Sequence, residues 1–227
     1  MGPVGQGSSP LGFADLYERL FDALGPQGWW PSQSRFETMV GAVLTQNTAW
    51  RGVQTSITAL RGAGLLDASS LVTAGLDELR RLIAPSGFMT AKSATLRLMA
   101  TWALSHPEAE VARWDDATLR ASLLGLRGIG PETADAIMLY VHDRALFVWD
   151  RYGRRLLARV GYAPAASYEA TRRRLDPAFR VAGLTTAQCQ EFHGLLVEAG
   201  KRVRTQGWAW FDVAVSAAAV EPGETTS

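Results

Sequence analysis

Residues 126–135 read LRGIGPETAD, and a single acid follows at the end of FVWD, residues 147–150. Two glycines bracket an isoleucine, and Pro131 suits the first position of a helix over 132–142. A glycine pair beside a helix often holds a nucleotide phosphate, because amides and the positive end of the helix dipole face the anion. A dinucleotide site, however, needs a strand before the glycines. Here the preceding segment is patterned as a helix over 117–125, with Asp116 as its N-cap. What remains is helix, tight turn, helix. It is either a plain corner between two helices or a hairpin that takes a DNA backbone phosphate without regard to sequence.

Outward from this turn the pattern stays helical. Phe13, Leu16, Tyr17, Leu20, Phe21 and Leu24 recur at spacings of three and four and stop at Gly25-Pro26. Phe36, Met39, Val40, Val43 and Leu44 mark a helix over 34–46. Leu79, Leu82 and Ile83 precede the stop at Pro85-Ser86-Gly87, and 90–104 is a further periodic run. Helices are predicted near 150–161, 167–175 and 185–203. FVW at 147–149 is too short to carry a sheet, so the expected fold is all-α with eight to eleven short helices. Residues 1–10 are rich in Gly, Ser and Pro and 215–227 lack a period, so both ends are expected to be disordered.

Composition narrows the function classes. With 47% hydrophobic residues the chain has a core to bury, and its apolar runs fall short of the roughly 20 residues a membrane span needs. MGPVGQGSSP lacks the basic start and apolar stretch of a secretory signal, so a cytoplasmic, prokaryotic protein is expected. The single Cys189 excludes an intramolecular disulfide, a multi-thiolate zinc site and a four-cysteine iron–sulfur cluster. A net charge of +1 hides an uneven distribution. Arg144, Arg151, Arg154, Arg155, Arg159, Arg172, Arg173 and Arg174 crowd the stretch between His142 and Leu175, as a solvated face or as a phosphate-attracting one.

LxGIGxxTADAI followed by an acid in a VxD context resembles the helix–hairpin–helix DNA glycosylases, the endonuclease III superfamily. GAVLTQNTAW at 41–50 and SGFMTAKSATL at 86–96 are similar to further segments of that family, in the same order and spacing over about residues 30–205. WWP, LTQNT, SGF and the EFHG of 191–194 look closest to its 3-methyladenine glycosylases. The resemblance implies two helical domains: 36–150, with the hairpin at about 117–142, and 11–35 joined with 151–214. It implies an active site in the cleft between them. It also implies a monomer that acts on double-stranded DNA holding a damaged base, with no membrane.

By the same resemblance Asp150 is the catalytic carboxylate. A fixed anion stabilises the oxocarbenium character that develops when an N-glycosidic bond breaks, and it orients or deprotonates the attacking water. Read alone, Asp150 is an N-cap for the helix that follows. Bifunctional members carry a hairpin lysine that attacks the sugar; Glu132 stands at that position, and a carboxylate forms no Schiff base. A monofunctional glycosylase excising alkylated purines, 3-methyladenine foremost, is therefore expected. The alternatives are excision of oxidised pyrimidines or mismatched bases, and a non-catalytic DNA-binding module.

A flipped base needs a pocket and a residue to fill the gap it leaves. Trp30, Pro31 and Trp50 are the pocket candidates, with Trp29 weaker, because aromatic faces attract the positive charge of an alkylated purine. Tyr152, His193 and Glu132 are assigned to the same pocket. Gln46 or Asn47 is the candidate plug, Asn47 being equally suited to a helix C-cap. Gly128, Gly130 and Thr133 of the hairpin, with Lys92, Arg151, Arg155, Lys201 and Arg202, are the expected DNA contacts. The family hairpin holds a monovalent cation on backbone carbonyls, which would fall here on Leu124, Leu126 and Ile129. Such oxygen ligands suit Na⁺ or K⁺, and no other cofactor is expected.

Overall fold

The computed structural model describes residues 9–216, which form thirteen α-helices, one 3-10 turn and no strand. The chain divides into two compact units, one of Trp30–Leu146 and one of Met1–Trp29 with Phe147–Ser227. The expected boundaries, at 35/36 and 150/151, fall four to six residues later than these.

After α1 (Phe13–Leu24), the chain enters the continuous unit. In order this holds α2 (Arg35–Leu44), α3 (Trp50–Gly62), α4 (Ala68–Thr73), α5 (Leu76–Leu82), the 3-10 turn Ala84–Ser86, α6 (Met89–Ser105), α7 (Glu108–Val111), α8 (Asp116–Leu124) and α9 (Pro131–Tyr140). Two of these helices are central. In α2 every residue from Glu37 to Leu44 is buried, and in α9 every residue from Thr133 to Leu139. A helix buried all round cannot show a clean amphipathic stripe, and the two pack against each other. Met39, Val43, Leu96, Met99, Leu123 and Ile137 belong to the core around them.

The other unit joins α1 to α10 (Arg151–Arg159), α11 (Tyr168–Val181), α12 (Thr186–Gln206) and α13 (Trp208–Ser216). Its centre is aromatic. Phe147 and Trp149 lie 4.3 Å apart between ring centroids, and Phe13 meets Phe147, Trp149 and Phe179 edge to face. FVW is thus a buried plug that ends on Asp150. Trp149 Nε1 finds its partner in Asp176 Oδ1, 3.1 Å away.

Several local expectations change. Asp115, not Asp116, caps α8, accepting from Thr118 N at 2.7 Å. Helix α11 runs on through Pro177 to Val181 instead of stopping at 175. Burial of Leu175 and Phe179, four residues apart on one face, offsets the roughly 3 kcal/mol an interior proline costs. The expected terminal disorder falls mainly on 1–8 and 217–227, outside the described residues; Val215 and Ser216 close α13.

Candidate active site and nucleic-acid interface

The glycine turn links α8 to α9, and its two glycines do different work. Gly128 has φ +95°, a conformation open to glycine and strained for other residues, and a Cβ there would overlap Thr95 Oγ1 of α6. Gly130 is the extended N-cap of α9, at φ −93°, and a Cβ on it would meet nothing within 4 Å. Open space therefore lies beside the first amides of α9, where the helix dipole is positive. Beneath the turn, Arg120 Nε donates to the buried Asp135 Oδ1 at 2.6 Å and braces α8 to α9. Thr95 Oγ1 donates to Arg127 O at 3.2 Å. Glu132 is exposed on the first turn of α9, and Thr133 is buried behind it. Of the three carbonyls suggested for a cation, Leu126 O also accepts from Ile129 N at 3.0 Å, which leaves one of its lone pairs.

Two loops flank this turn. Gln46 Nε2 donates to Gly128 O and to Thr133 Oγ1, both at 2.9 Å, so Gln46 is a brace of the hairpin and not a free plug. Asn47 beside it is exposed at φ +52°. The second loop carries Phe88, which sequence reasoning passed over. It is non-glycine with φ +48° and its side chain is 67% exposed. Strain and exposure together on a large aromatic are costs that folding does not require. The sequence signal was Phe88 itself, an aromatic directly after the breaker Pro-Ser-Gly.

Lys92 departs furthest from expectation. It is 3% exposed, and its ammonium donates to Leu44 O, Thr48 Oγ1 and Ser86 O at 2.7–2.8 Å. Burial lowers its pKa to about 8. Its three donors are all engaged within the protein.

In the other unit, Asp150 is 7% exposed at the N-cap of α10, its Oδ1 accepting from Gly153 N at 2.6 Å. The N-cap reading of this residue is therefore met, and the cap uses one carboxylate oxygen. Burial raises its pKa to about 6, against the opposing pull of the Gly153 and Tyr152 amides and of Arg154. A carboxylate so dry and so held is suited to meeting a developing positive charge.

The pocket residues separate. Trp30 meets Trp50 edge to face, at 5.6 Å and 79°, and Tyr140 at 5.5 Å and 63°. The two indoles come together as expected, yet they do not form the parallel slot a base would stack in. Gly41 makes room for Trp30, whose indole lies 3.1 Å from where its Cβ would be. Beside them a cavity of about 180 Å³ is lined by Trp30, Pro31, Trp50, Glu37 and Arg61 among others. Glu37 is 4% exposed and pairs with Arg61 at 2.6 Å; sequence reasoning passed it over. Tyr152 packs on α12, where a Cβ on Gly200 would overlap its ring. His193 is buried in α12, and burial lowers its pKa to about 4, so it is neutral at pH 7. Trp29 lies under Lys201, at 5.7 Å, in the same unit.

The expected phosphate contacts are partly engaged already. The guanidinium of Arg155 lies 4.9 Å over Trp208 and that of Arg202 5.2 Å over Trp210. Lys201 and Arg202 both lie near Glu198, at 3.7 and 3.5 Å. Arg151 is exposed on the first turn of α10. Among the described residues no three of His, Cys, Asp and Glu are grouped to hold a metal ion, and no helix is long and apolar enough to cross a membrane.

A helix–turn–helix with open amides, a buried acid fifteen residues beyond Asp135 and an all-helical frame define a family, and comparison names it. Residues 40–180 match the HhH-GPD superfamily of base excision DNA repair proteins. The chain belongs to that superfamily. This DNA glycosylase is 40% identical over 150 residues to MJ1434 of Methanocaldococcus jannaschii, an inferred DNA repair glycosylase, in a match that covers 64% of this chain and 68% of the relative. Its fold superposes on Helicobacter pylori 3-methyladenine DNA glycosylase bound to 1,N6-ethenoadenine with a TM-score of 0.72. That match has 26% identity and covers 85% of this glycosylase and 98% of the other. A trapped endonuclease III–DNA covalent intermediate shares the fold at a TM-score of 0.62 and 16% identity, covering 81% of each chain.

Proposed function

We propose that this glycosylase removes alkylated purines, 3-methyladenine foremost, from double-stranded DNA by hydrolysis and leaves the strand intact. The observation that carries the reading is Asp150, a buried carboxylate fixed by a helix N-terminus and an aromatic plug. Its anion stabilises the oxocarbenium-like sugar and orients a water toward it. An alkylated purine already carries positive charge, so departure of the base needs little protonation. Indoles at Trp30 and Trp50 suit a flat cation, provided the edge-to-face pair opens on binding. Likeness to a 3-methyladenine glycosylase of similar length supports the same substrate class.

The strand stays intact for want of an amine. The chain has only two lysines, Lys92 and Lys201, and Glu132 occupies the hairpin position. Lys92 is buried with all three of its protons engaged. The hairpin amides after Gly130 take a backbone phosphate, and the carbonyls of Leu124, Leu126 and Ile129 are the proposed seat of a sodium or potassium ion.

Mass spectrometry of bases freed from methylated, oxidised and deaminated duplexes is the direct test. Methylated purines are the expected product; thymine glycol release without them would overturn the assignment. Borohydride should trap no protein–DNA adduct, and a trapped one would refute the strand-sparing mechanism.

Phe88 is proposed to enter the stack where the base leaves, with Asn47 beside it. Stacking of an aromatic on a base contributes about 1–3 kcal/mol. Phe88→Ala should therefore weaken binding to duplex containing a stable abasic analogue by about tenfold or more and leave the melting temperature nearly unchanged, as fluorescence anisotropy and thermal scans would read.

A further inference from the structure

Asn47 and Phe88 are each exposed and each in left-handed backbone conformation, on two loops that share no helix. Something must hold those loops in register. The segments that pass between them converge on one ammonium group. Lys92 Nζ donates to Leu44 O at the end of α2, to Thr48 Oγ1 in the first loop and to Ser86 O in the second. Thr48 Oγ1 donates in turn to Ser86 O at 2.5 Å, closing a ring of contacts. One turn further along α6, Thr95 holds Arg127 O of the hairpin, and Gln46 ties the first loop to Gly128 O. A single helix end thus underlies the plug loop, the Phe88 loop and the hairpin.

We propose that Lys92 is a positioning residue for lesion recognition, fixing the loops of Asn47 and Phe88 against the hairpin so that both meet a distorted duplex together. The proposal rests on reading these loops as DNA-facing. A lysine suits the task because an ammonium carries three donors: two go to the 44–49 segment, at Leu44 O and Thr48 Oγ1, and the third goes to Ser86 O of the other loop. The structural alternative, a lysine kept only for stability, is weak on energetic grounds. Burying a lone charge is costly unless every donor is satisfied, and an apolar residue of the same length would fill the space without that cost.

The charge also gives the arrangement a pH limit. Facing segments 44–49 and 84–87 hold no ionisable side chain, so burial alone sets the shift, and the ammonium loses a proton, and with it one donor, near pH 8. The first turn of α3 carries Arg51, which is exposed.

The test compares wild type, Lys92→Met, Lys92→Arg and Thr48→Val in full-length protein. Binding to a duplex with a stable abasic analogue and to undamaged duplex is read by anisotropy from pH 6.5 to 9.5, with melting temperatures alongside. Wild type should lose about tenfold of its preference for the abasic duplex through pH 8, whereas Lys92→Met should show that reduced preference already at pH 7, flat with pH. Thr48→Val, which keeps the lysine and removes one corner of the ring, should lose a smaller part and keeps the test alive if Lys92→Met does not fold. Because the chain has two lysines, selective ¹³C labelling gives two resonances, and that of Lys92 should titrate near 8. A preference independent of pH in wild type, or unchanged in folded Lys92→Met and Thr48→Val, overturns the positioning role while leaving the function intact. Wild type that binds neither duplex would refute the DNA-facing reading and this inference with it.

Discussion

Asp150→Asn should slow base release by about a hundredfold to a thousandfold and at the same time make the protein more stable at pH 8. The first effect follows from charge: an amide cannot stabilise a developing cation, and removal of a single preorganised electrostatic group costs about 10²–10³ in rate. The second follows from linkage. Burial raises the Asp150 pKa from 3.8 to about 6, so the folded state prefers the protonated acid. Stability from this preference is fully present below pH 3.8 and is lost as pH rises through 6. Above pH 7 the folded protein carries a buried anion at a cost of about 2–3 kcal/mol. Asparagine removes that cost and still accepts from Gly153 N as an N-cap. For a chain of this size the melting temperature should rise by about 5 °C at pH 8, and the gain should vanish at pH 4. Wild-type activity should in turn show an acid limb near pH 6, because catalysis needs the anion. Retained base release, or a stability gain equal at both pH values, would count against the assignment of Asp150.

That trade explains why Asp150 was readable from the sequence in two ways. N-capping and catalysis ask for the same placement, a carboxylate at the start of a helix, and the letters of FVWD support both. The turn 126–135 was equally legible, since glycine, proline and the following apolar run are local signals. Where the sequence misled, the cause was tertiary. Lys92 reads as a surface cation because lysine is almost always exposed; only the convergence of Leu44, Thr48 and Ser86 buries it. Helix α3 was unmarked because only Val53, Ser56 and Leu60 are buried along its thirteen residues, and α4 because it buries Leu71 alone. Glu37 gave no sign of lining a cavity, since its partner Arg61 lies near the far end of a different helix. Arg155 and Arg202 looked free to take phosphate, and their indole partners, Trp208 and Trp210, lie in a helix the pattern did not announce.

The two hairpin glycines, indistinguishable as letters, should part company when each becomes alanine. Gly128→Ala meets two obstacles. At φ +95° an L-residue is strained by about 1–2 kcal/mol or more, and its Cβ overlaps the hydroxyl of Thr95, which α6 holds in place. Together they should cost about 3 kcal/mol or more in urea unfolding. Thr95→Ala in the same chain removes the overlap and leaves the backbone strain, so the double variant should recover part of the loss and no more. That partial recovery is a coupling between the two sites that additive effects would not produce. Gly130→Ala faces neither obstacle, with φ −93° and open space around the new methyl. Its stability cost should stay near about 1 kcal/mol, the ordinary difference between glycine and alanine as an N-cap. The methyl would instead stand in the space beside the first amides of α9, where a phosphodiester is proposed to bind. DNA affinity should fall about tenfold in Gly130→Ala while its unfolding stays near wild type. A Gly128→Ala variant as stable as wild type would refute the packing of the turn on α6, and undiminished affinity in Gly130→Ala would remove the phosphate from this turn.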